Sequence, residues 1–155
     1  MIELLPWRIY HIQQLKRIVM SETIFTFPVR VYYEDTDAGG IVYYANYLKF
    51  FERARTEWLR ALGIEQDLLL SENIAFVVTQ VLMDYKKPAK FNDLLTVSSQ
   101  ISTLKQVSMV FAQNVYNSSG ELNCSAQIKV ACVEVQEMKA RAIPAEVLEV
   151  LKRGR

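Results

Sequence analysis

From Phe25 to Tyr33 apolar and polar positions alternate: Phe25, Phe27, Val29, Val31 and Tyr33 share one side, while Thr26, Arg30 and Tyr32 take the other. A period of two sends successive side chains to opposite faces, so this segment predicts a strand. The period changes near Ala45. Tyr47, Phe50, Phe51, Ala54, Trp58, Leu59 and Leu62 recur at steps of three and four, the wide apolar stripe of a helix over residues 45–62. Glu52, Arg53, Glu57 and Arg60 fill its remaining surface, and Arg53 with Glu57 has the i,i+4 spacing of an ion pair. Gly63 follows in the left-handed position that ends a helix.

Residues 65–73 read as a short helical or irregular linker. Four strand-like runs come next, over residues 74–85, 93–104, 107–117 and 121–135, and residues 145–152 read as a terminal helix opened by Pro144. Strand, long helix and four consecutive strands predict an α+β domain, the four strands forming an antiparallel meander with the helix on one face. We expect one domain over residues 21–155 and a separate N-terminal extension over residues 1–20.

The junction between first strand and helix concentrates the chemistry. Glu34, Asp35 and Asp37 arrive where the strand stops, Asp37-Ala38-Gly39-Gly40 reads as a turn, and the helix follows at once. A helix N-terminus offers unpaired backbone N–H groups and the positive end of a dipole. A carboxylate beside donors that can hold a developing oxyanion is a minimal device for acyl transfer. Without further information, an ordinary Asp/Gly turn is the plainer reading of the same residues. Glu34 and Asp35 either crowd Asp37 with like charge or point away from it, since strand alternation puts Glu34 on the opposite face.

Composition narrows the field. The 155 residues are 51% hydrophobic with a formal net charge of +1, a globular composition without the basic excess that nucleic-acid binding requires. Cys124 and Cys132 lie eight positions apart in one strand, ~26 Å at about 3.3 Å per residue, beyond disulfide reach. They fit a reducing, cytoplasmic compartment, and no His/Cys spacing suggests a metal. His11 is the only histidine, so a Ser-His-Asp triad has no support. The first nineteen residues are apolar but interrupted by Glu3, Arg8, His11, Gln13 and Gln14, so no integral membrane span is expected. Either Met20 is the natural start, or the segment is an amphipathic surface helix that touches a membrane.

The run VYYEDTDAGGIVYYANY together with FERARTEWLR resembles the 4-hydroxybenzoyl-CoA thioesterase family. Within it, the chain is similar to the small acyl-CoA thioesterases encoded beside the Tol-Pal envelope system of Gram-negative bacteria. Phe76–Val78, the Lys/Pro loop before Asp93 and Met138–Pro144 also match, and the resemblance covers roughly residues 27–148. It implies a hot-dog fold, a curved antiparallel sheet around one long helix. It also implies hydrolysis of acyl-CoA without metal or other cofactor, in homodimers joined sheet to sheet or in homotetramers. Active sites would lie between subunits, at the cytoplasmic side or peripherally at the inner membrane.

Carried onto this chain, the resemblance puts the catalytic carboxylate on Asp37, as nucleophile or base, and the oxyanion donor on the Tyr44 backbone N–H. Gly40, Tyr43 and Tyr47 beside them are candidate substrate-binding positions. Lys86, Lys90 and Lys105, with Lys87, are candidates for the CoA phosphates, Lys105 through the family's basic positions. The Tol-Pal-associated branch commonly has histidine where this chain has Tyr44. Glu52 is a second possible acid, since some related thioesterases use a helix carboxylate. Two other classes stand beside hydrolysis: a non-catalytic scaffold binding acyl groups or acyl-carrier protein, and a hot-dog dehydratase, disfavoured because no histidine occurs after Ser21.

Overall fold

The computed structural model describes residues 24–154. The extension expected over residues 1–20, with His11 in it, lies outside the described residues. Among these, six strands form one antiparallel sheet: β1 Phe25–Arg30, β2 Ile74–Tyr85, β3 Leu94–Leu104, β4 Ser108–Tyr116, β5 Leu122–Glu134 and the short β6 Lys139–Ala140. The helices are α1 Tyr47–Ala61, α2 Gln66–Ser71 and α3 Ala145–Arg153.

The sheet curls around α1, which is the hot-dog arrangement. The predicted stripe is the buried face of the helix, and Phe50 and Phe51 are 0% exposed. Enclosing each such ring contributes about 1.5–3 kcal/mol. Trp58 stacks on Phe25 of β1 with ring centres 6.0 Å apart and meets Phe111 of β4 edge-on at 5.9 Å. One helical side chain thus joins two strands that do not pair. Gly63, at φ +81°, ends the helix as expected.

The expected four-strand meander is corrected. The strand order is β1-β3-β4-β5-β2, so only β3, β4 and β5 form a meander, and β2 lies at the far edge against β5. The position beside β3 is held by β1, in a register from Phe25↔Ser99 to Arg30↔Leu94. A period of two fixes which face a side chain takes and leaves the strand's neighbour open.

Three smaller expectations also change. β1 stops at Arg30 rather than running to Tyr33, because the Asp35 carboxylate accepts the Tyr32 N–H and closes a 3₁₀ turn over Tyr33–Asp35. The helix begins at Tyr47, after a second 3₁₀ turn over Tyr44–Asn46. Glu57 pairs with Arg60 and Glu52 with Arg55, so the expected Arg53–Glu57 pair does not form; three-residue spacing serves as well on a helix surface. Arg53 instead lines a separate ≈ 250 Å³ cavity with Arg30, Tyr32 and Glu34.

Candidate active site

The acid turn is built from short polar contacts. Asp37 Oδ1 accepts the Gly39 N–H at 2.8 Å, Gly40 N–H donates to the Asp37 carbonyl at 3.0 Å, and Asp37 N–H donates to the Ile41 carbonyl at 2.9 Å. Gly40 sits at φ +77°, a conformation that glycine adopts at no steric cost. The result is a hairpin loop with a glycine bulge, which holds the exposed Asp37 carboxylate in one direction. Gly39 matters for a different reason. A Cβ built there would lie 3.1 Å from Asp37 Oδ1.

The three acids have separate fates. Asp35 is 7% exposed and caps the turn through the Tyr32 N–H at 2.8 Å, whereas Glu34 and Asp37 stay exposed. The like-charge crowding left open by the sequence therefore involves an Asp35 turned inward onto a backbone donor.

Between the turn and α1, Tyr43 N–H donates to the Asp35 carbonyl at 2.9 Å and Val42 N–H to the Ala89 carbonyl at 2.8 Å. No acceptor among the described residues takes the Tyr44 N–H, and no side chain caps the helix behind it. Both leave donors of the kind an oxyanion needs.

Asp37, Tyr44, Tyr47 and Lys86 line one open cleft of ≈ 440 Å³ with Ile41, Val42, Tyr85, Lys87 and Pro88. Gly40 belongs to the turn beneath it. Tyr43 lies against Tyr44, ring centres 4.7 Å apart. Lys90 does not line the cleft, although its backbone bridges Ile41 and its N–H donates to Asp93 Oδ2 at 2.9 Å. Lys105 is in the β3–β4 turn, at the opposite end of β3 from Leu94, and takes no part in this cleft within one chain. Glu52 is elsewhere too. Its oxygens accept from Arg55 Nη2 at 2.7 Å and Thr56 Oγ1 at 3.1 Å, and it lines a separate ≈ 40 Å³ cavity with Arg55, Leu59 and Phe76.

Tyr85 is the wall residue that periodicity missed. Its hydroxyl donates to the Tyr44 carbonyl at 2.9 Å and its ring meets Tyr47 edge-on at 5.8 Å. Burial raises the Tyr47 and Tyr85 hydroxyls above the ordinary phenol value, so both remain neutral at physiological pH, Tyr47 accepting the Ala89 N–H at 3.3 Å. The register of β2 explains the omission. Val78 pairs with Val130 and Gln80 with Lys129, leaving Thr79 as an extra residue that shifts the later part of the strand by one. Ile74 and Tyr85, eleven positions apart, would otherwise face opposite ways.

A second bulge holds the other wall. Asn123 is the extra residue where β4 and β5 part, and its carbonyl accepts the Lys86 and Lys87 N–H groups at 2.8 and 3.1 Å. Its Nδ2 donates to the Lys87 carbonyl at 3.1 Å. Behind Tyr85, the buried Cys124 thiol is pushed up to about 12, chiefly by desolvation, and so remains a neutral structural group.

Residues 31–151 match the thioesterase-like superfamily. The chain is 50% identical over 129 residues to the acyl-CoA thioesterase YbgC of Haemophilus influenzae, covering 83% of this chain and 94% of that protein. It is 44% identical over 133 residues to the acyl-CoA thioester hydrolase YbgC of Escherichia coli, covering 86% and 99% respectively. The crystal structure of a probable thioesterase from Bartonella henselae superposes with a TM-score of 0.74 at 34% identity, over 78% of this chain and 99% of that one. With most of its length matched, and relatives matched nearly end to end, the chain belongs to the thioesterase-like superfamily.

Proposed function

We propose that this thioester hydrolase acts on acyl-CoA, with the Asp37 carboxylate and the Tyr44 N–H as its working groups. The observation that carries the reading is the single cleft lined by both residues at the entrance to α1. The thioester carbonyl accepts a hydrogen bond from Tyr44 N–H. Asp37 either takes a proton from an attacking water or itself attacks the carbonyl carbon to give an anhydride that water opens. In both cases the carbonyl electrons move onto the oxygen and return as the C–S bond breaks. CoA leaves as a thiolate and collects the proton that water supplied. A thiol pKa of about 8–9 makes this leaving group adequate without a strong general acid.

The names of the YbgC relatives, acyl-CoA thioesterase and acyl-CoA thioester hydrolase, support the substrate class. Lys86 and Lys87 at the rim suit the CoA phosphates; Lys87 also pairs with Glu121, and Lys90 stands one bridge behind the turn. The test is thiol release from short, medium and long aliphatic acyl-CoAs plus benzoyl- and 4-hydroxybenzoyl-CoA. Turnover on some member supports the reading. Acyl-CoA binding without turnover would favour the non-catalytic scaffold, acyl-carrier protein being the partner to try next.

Gly39 supplies a finer test. A methyl group there would displace the Asp37 carboxylate by a few tenths of an ångström, and misplacing a reacting group by about 1 Å can cost ~10²-fold. Gly39→Ala should therefore lower kcat by roughly threefold to tenfold. An unchanged circular dichroism spectrum would show that the fold survives.

The homodimer belongs to this reading as well. β2 is an edge strand whose only charge is Asp84, and it exposes Val78, Val81, Leu82 (64%) and Tyr85. β1, at the other edge, carries Pro28 and Arg30, residues that discourage further pairing. A second copy pairing along β2 would cover the unguarded edge and pass beside Tyr85 and the cleft. Sedimentation should give at least twice the 17.9 kDa chain mass. Leu82→Lys should shift the population toward monomer and reduce turnover with it.

A further inference from the structure

We propose that Asn46 is a positioning residue of this site: its side-chain amide holds the acid turn against the helix entrance and so sets Asp37 relative to the Tyr44 N–H. The proposal rests on the reading of those two residues given above.

Asparagine directly before a helix ordinarily accepts a hydrogen bond from an N–H of the first turn, and this capping stabilises by about 0.5–2 kcal/mol relative to alanine. Asn46 occupies that position before α1 and makes no such bond. Its backbone is already helical, at φ −70° and ψ −21°, because a 3₁₀ turn leads into α1. Its Nδ2 instead reaches eleven residues back to the Asp35 carbonyl, at 2.9 Å.

That carbonyl is a junction. It also accepts the Tyr43 N–H at 2.9 Å, so one oxygen is held by groups on both sides of Tyr44. Asp35 is itself fixed, buried at 7% exposure and bonded through Oδ2 to the Tyr32 N–H. Asp37 lies two residues beyond the junction, and Tyr44 is next to a residue bonded to it. Any change in the Asn46–Asp35 contact is therefore passed to both working groups over a few covalent bonds. From the far side, the Tyr85 hydroxyl holds the Tyr44 carbonyl and limits rotation of the same segment.

The test compares wild type, Asn46→Ala, Asn46→Asp and Asp37→Asn by thiol release, thermal melting, and ¹⁵N–¹H shifts of the Gly39, Tyr43 and Tyr44 amides. For Asn46→Ala we expect kcat to fall by at least about tenfold with KM within roughly threefold, and all three amides to shift. Asn46→Asp should melt no lower than Asn46→Ala, because a carboxylate is favoured at the positive end of the helix dipole. Its turnover should be no better, so activity would not follow stability. The proposal is overturned if Asn46→Ala keeps kcat within about twofold of wild type, if the Gly39 and Tyr44 amides do not move, or if Asn46→Asp recovers activity in step with stability. The underlying reading fails separately. Should Asp37→Asn retain turnover, the catalytic assignment is wrong, and the amide shifts alone decide whether Asn46 holds the turn.

Discussion

Asp37→Asn should lower the rate of thiol release by about 10²–10⁴-fold, the range that a positioned acid–base group contributes, with little change in KM. The physical reason is specific to this turn. Asparagine keeps an oxygen that can accept the Gly39 N–H, now at 2.8 Å, so the Asx turn and the loop survive. The side chain is exposed, so exchanging a carboxylate for an amide leaves no unpaired group inside the protein. What disappears is basicity and nucleophilicity. Glu52→Gln is the control, because that carboxylate is engaged by Arg55 and Thr56 and lines a different cavity. Its kcat should stay within a few-fold of wild type. Unchanged turnover in Asp37→Asn together with loss in Glu52→Gln would exchange the two assignments. Turnover in H₂¹⁸O separates the roles of Asp37, since only a nucleophilic carboxylate takes up the label.

Gln113→Ala should destabilise the protein by on the order of 3 kcal/mol, a large share of a typical folding free energy. Gln113 is buried in β4 and holds three partners: Oε1 accepts from Arg55 Nη1 at 2.9 Å, and Nε2 donates to Ser99 Oγ at 2.8 Å and to the Phe51 carbonyl at 3.1 Å. The Arg55 side chain is only 8% exposed, and its acidic partner Glu52 is 60% exposed. Burial lowers the guanidinium from its ordinary value and Glu52 raises it in part. Truncating Gln113 leaves this charge inside with a single half-screened partner, and it leaves a void beside Phe111, over which Arg55 lies at 5.8 Å. Removing both members is different. Arg55→Met with Gln113→Leu fills similar volume with apolar atoms and should be more stable than Gln113→Ala. Urea unfolding with an unchanged m-value checks both, and a loss below about 1 kcal/mol for Gln113→Ala would show that the network does not hold α1 to the sheet.

Arg55 illustrates where sequence reading ends. In the helix pattern it stands next to Ala54 and among Arg53, Glu57 and Arg60, a set that looks solvated, yet it points inward to Gln113. Its burial depends on a glutamine 58 positions away, and no local period carries that information. The candidate site divides in the same way. Asp37 and Gly40 were readable as an acid turn between strand and helix, and Tyr47 as part of the helix stripe, whereas the roles proposed for Asp37 and Tyr44 came with the family resemblance. Tyr85 and Asn123 were not, since a bulge turns Tyr85 into the cleft and a second bulge lets Asn123 hold the Lys86–Lys87 backbone.

The sequence by itself determined the elements and the acid turn: alternation made β1, strand-like runs between turn residues made β2 to β5, the three- and four-step stripe made α1, and Asp37-Ala38-Gly39-Gly40 made the hairpin loop. These follow from sterics and hydrogen bonds between residues close along the chain, and such forces act whatever the rest of the molecule does. Tertiary structure alone decided that β2 pairs with β5, that Thr79 turns Tyr85 into the cleft, that Asn46 reaches Asp35 instead of capping its helix, and that Arg55 is buried. Each of these is a choice among locally equivalent states. Hydrogen-bond partners and apolar surface supplied from distant parts of the chain make the choice, and they are in place only once the sheet has closed around α1.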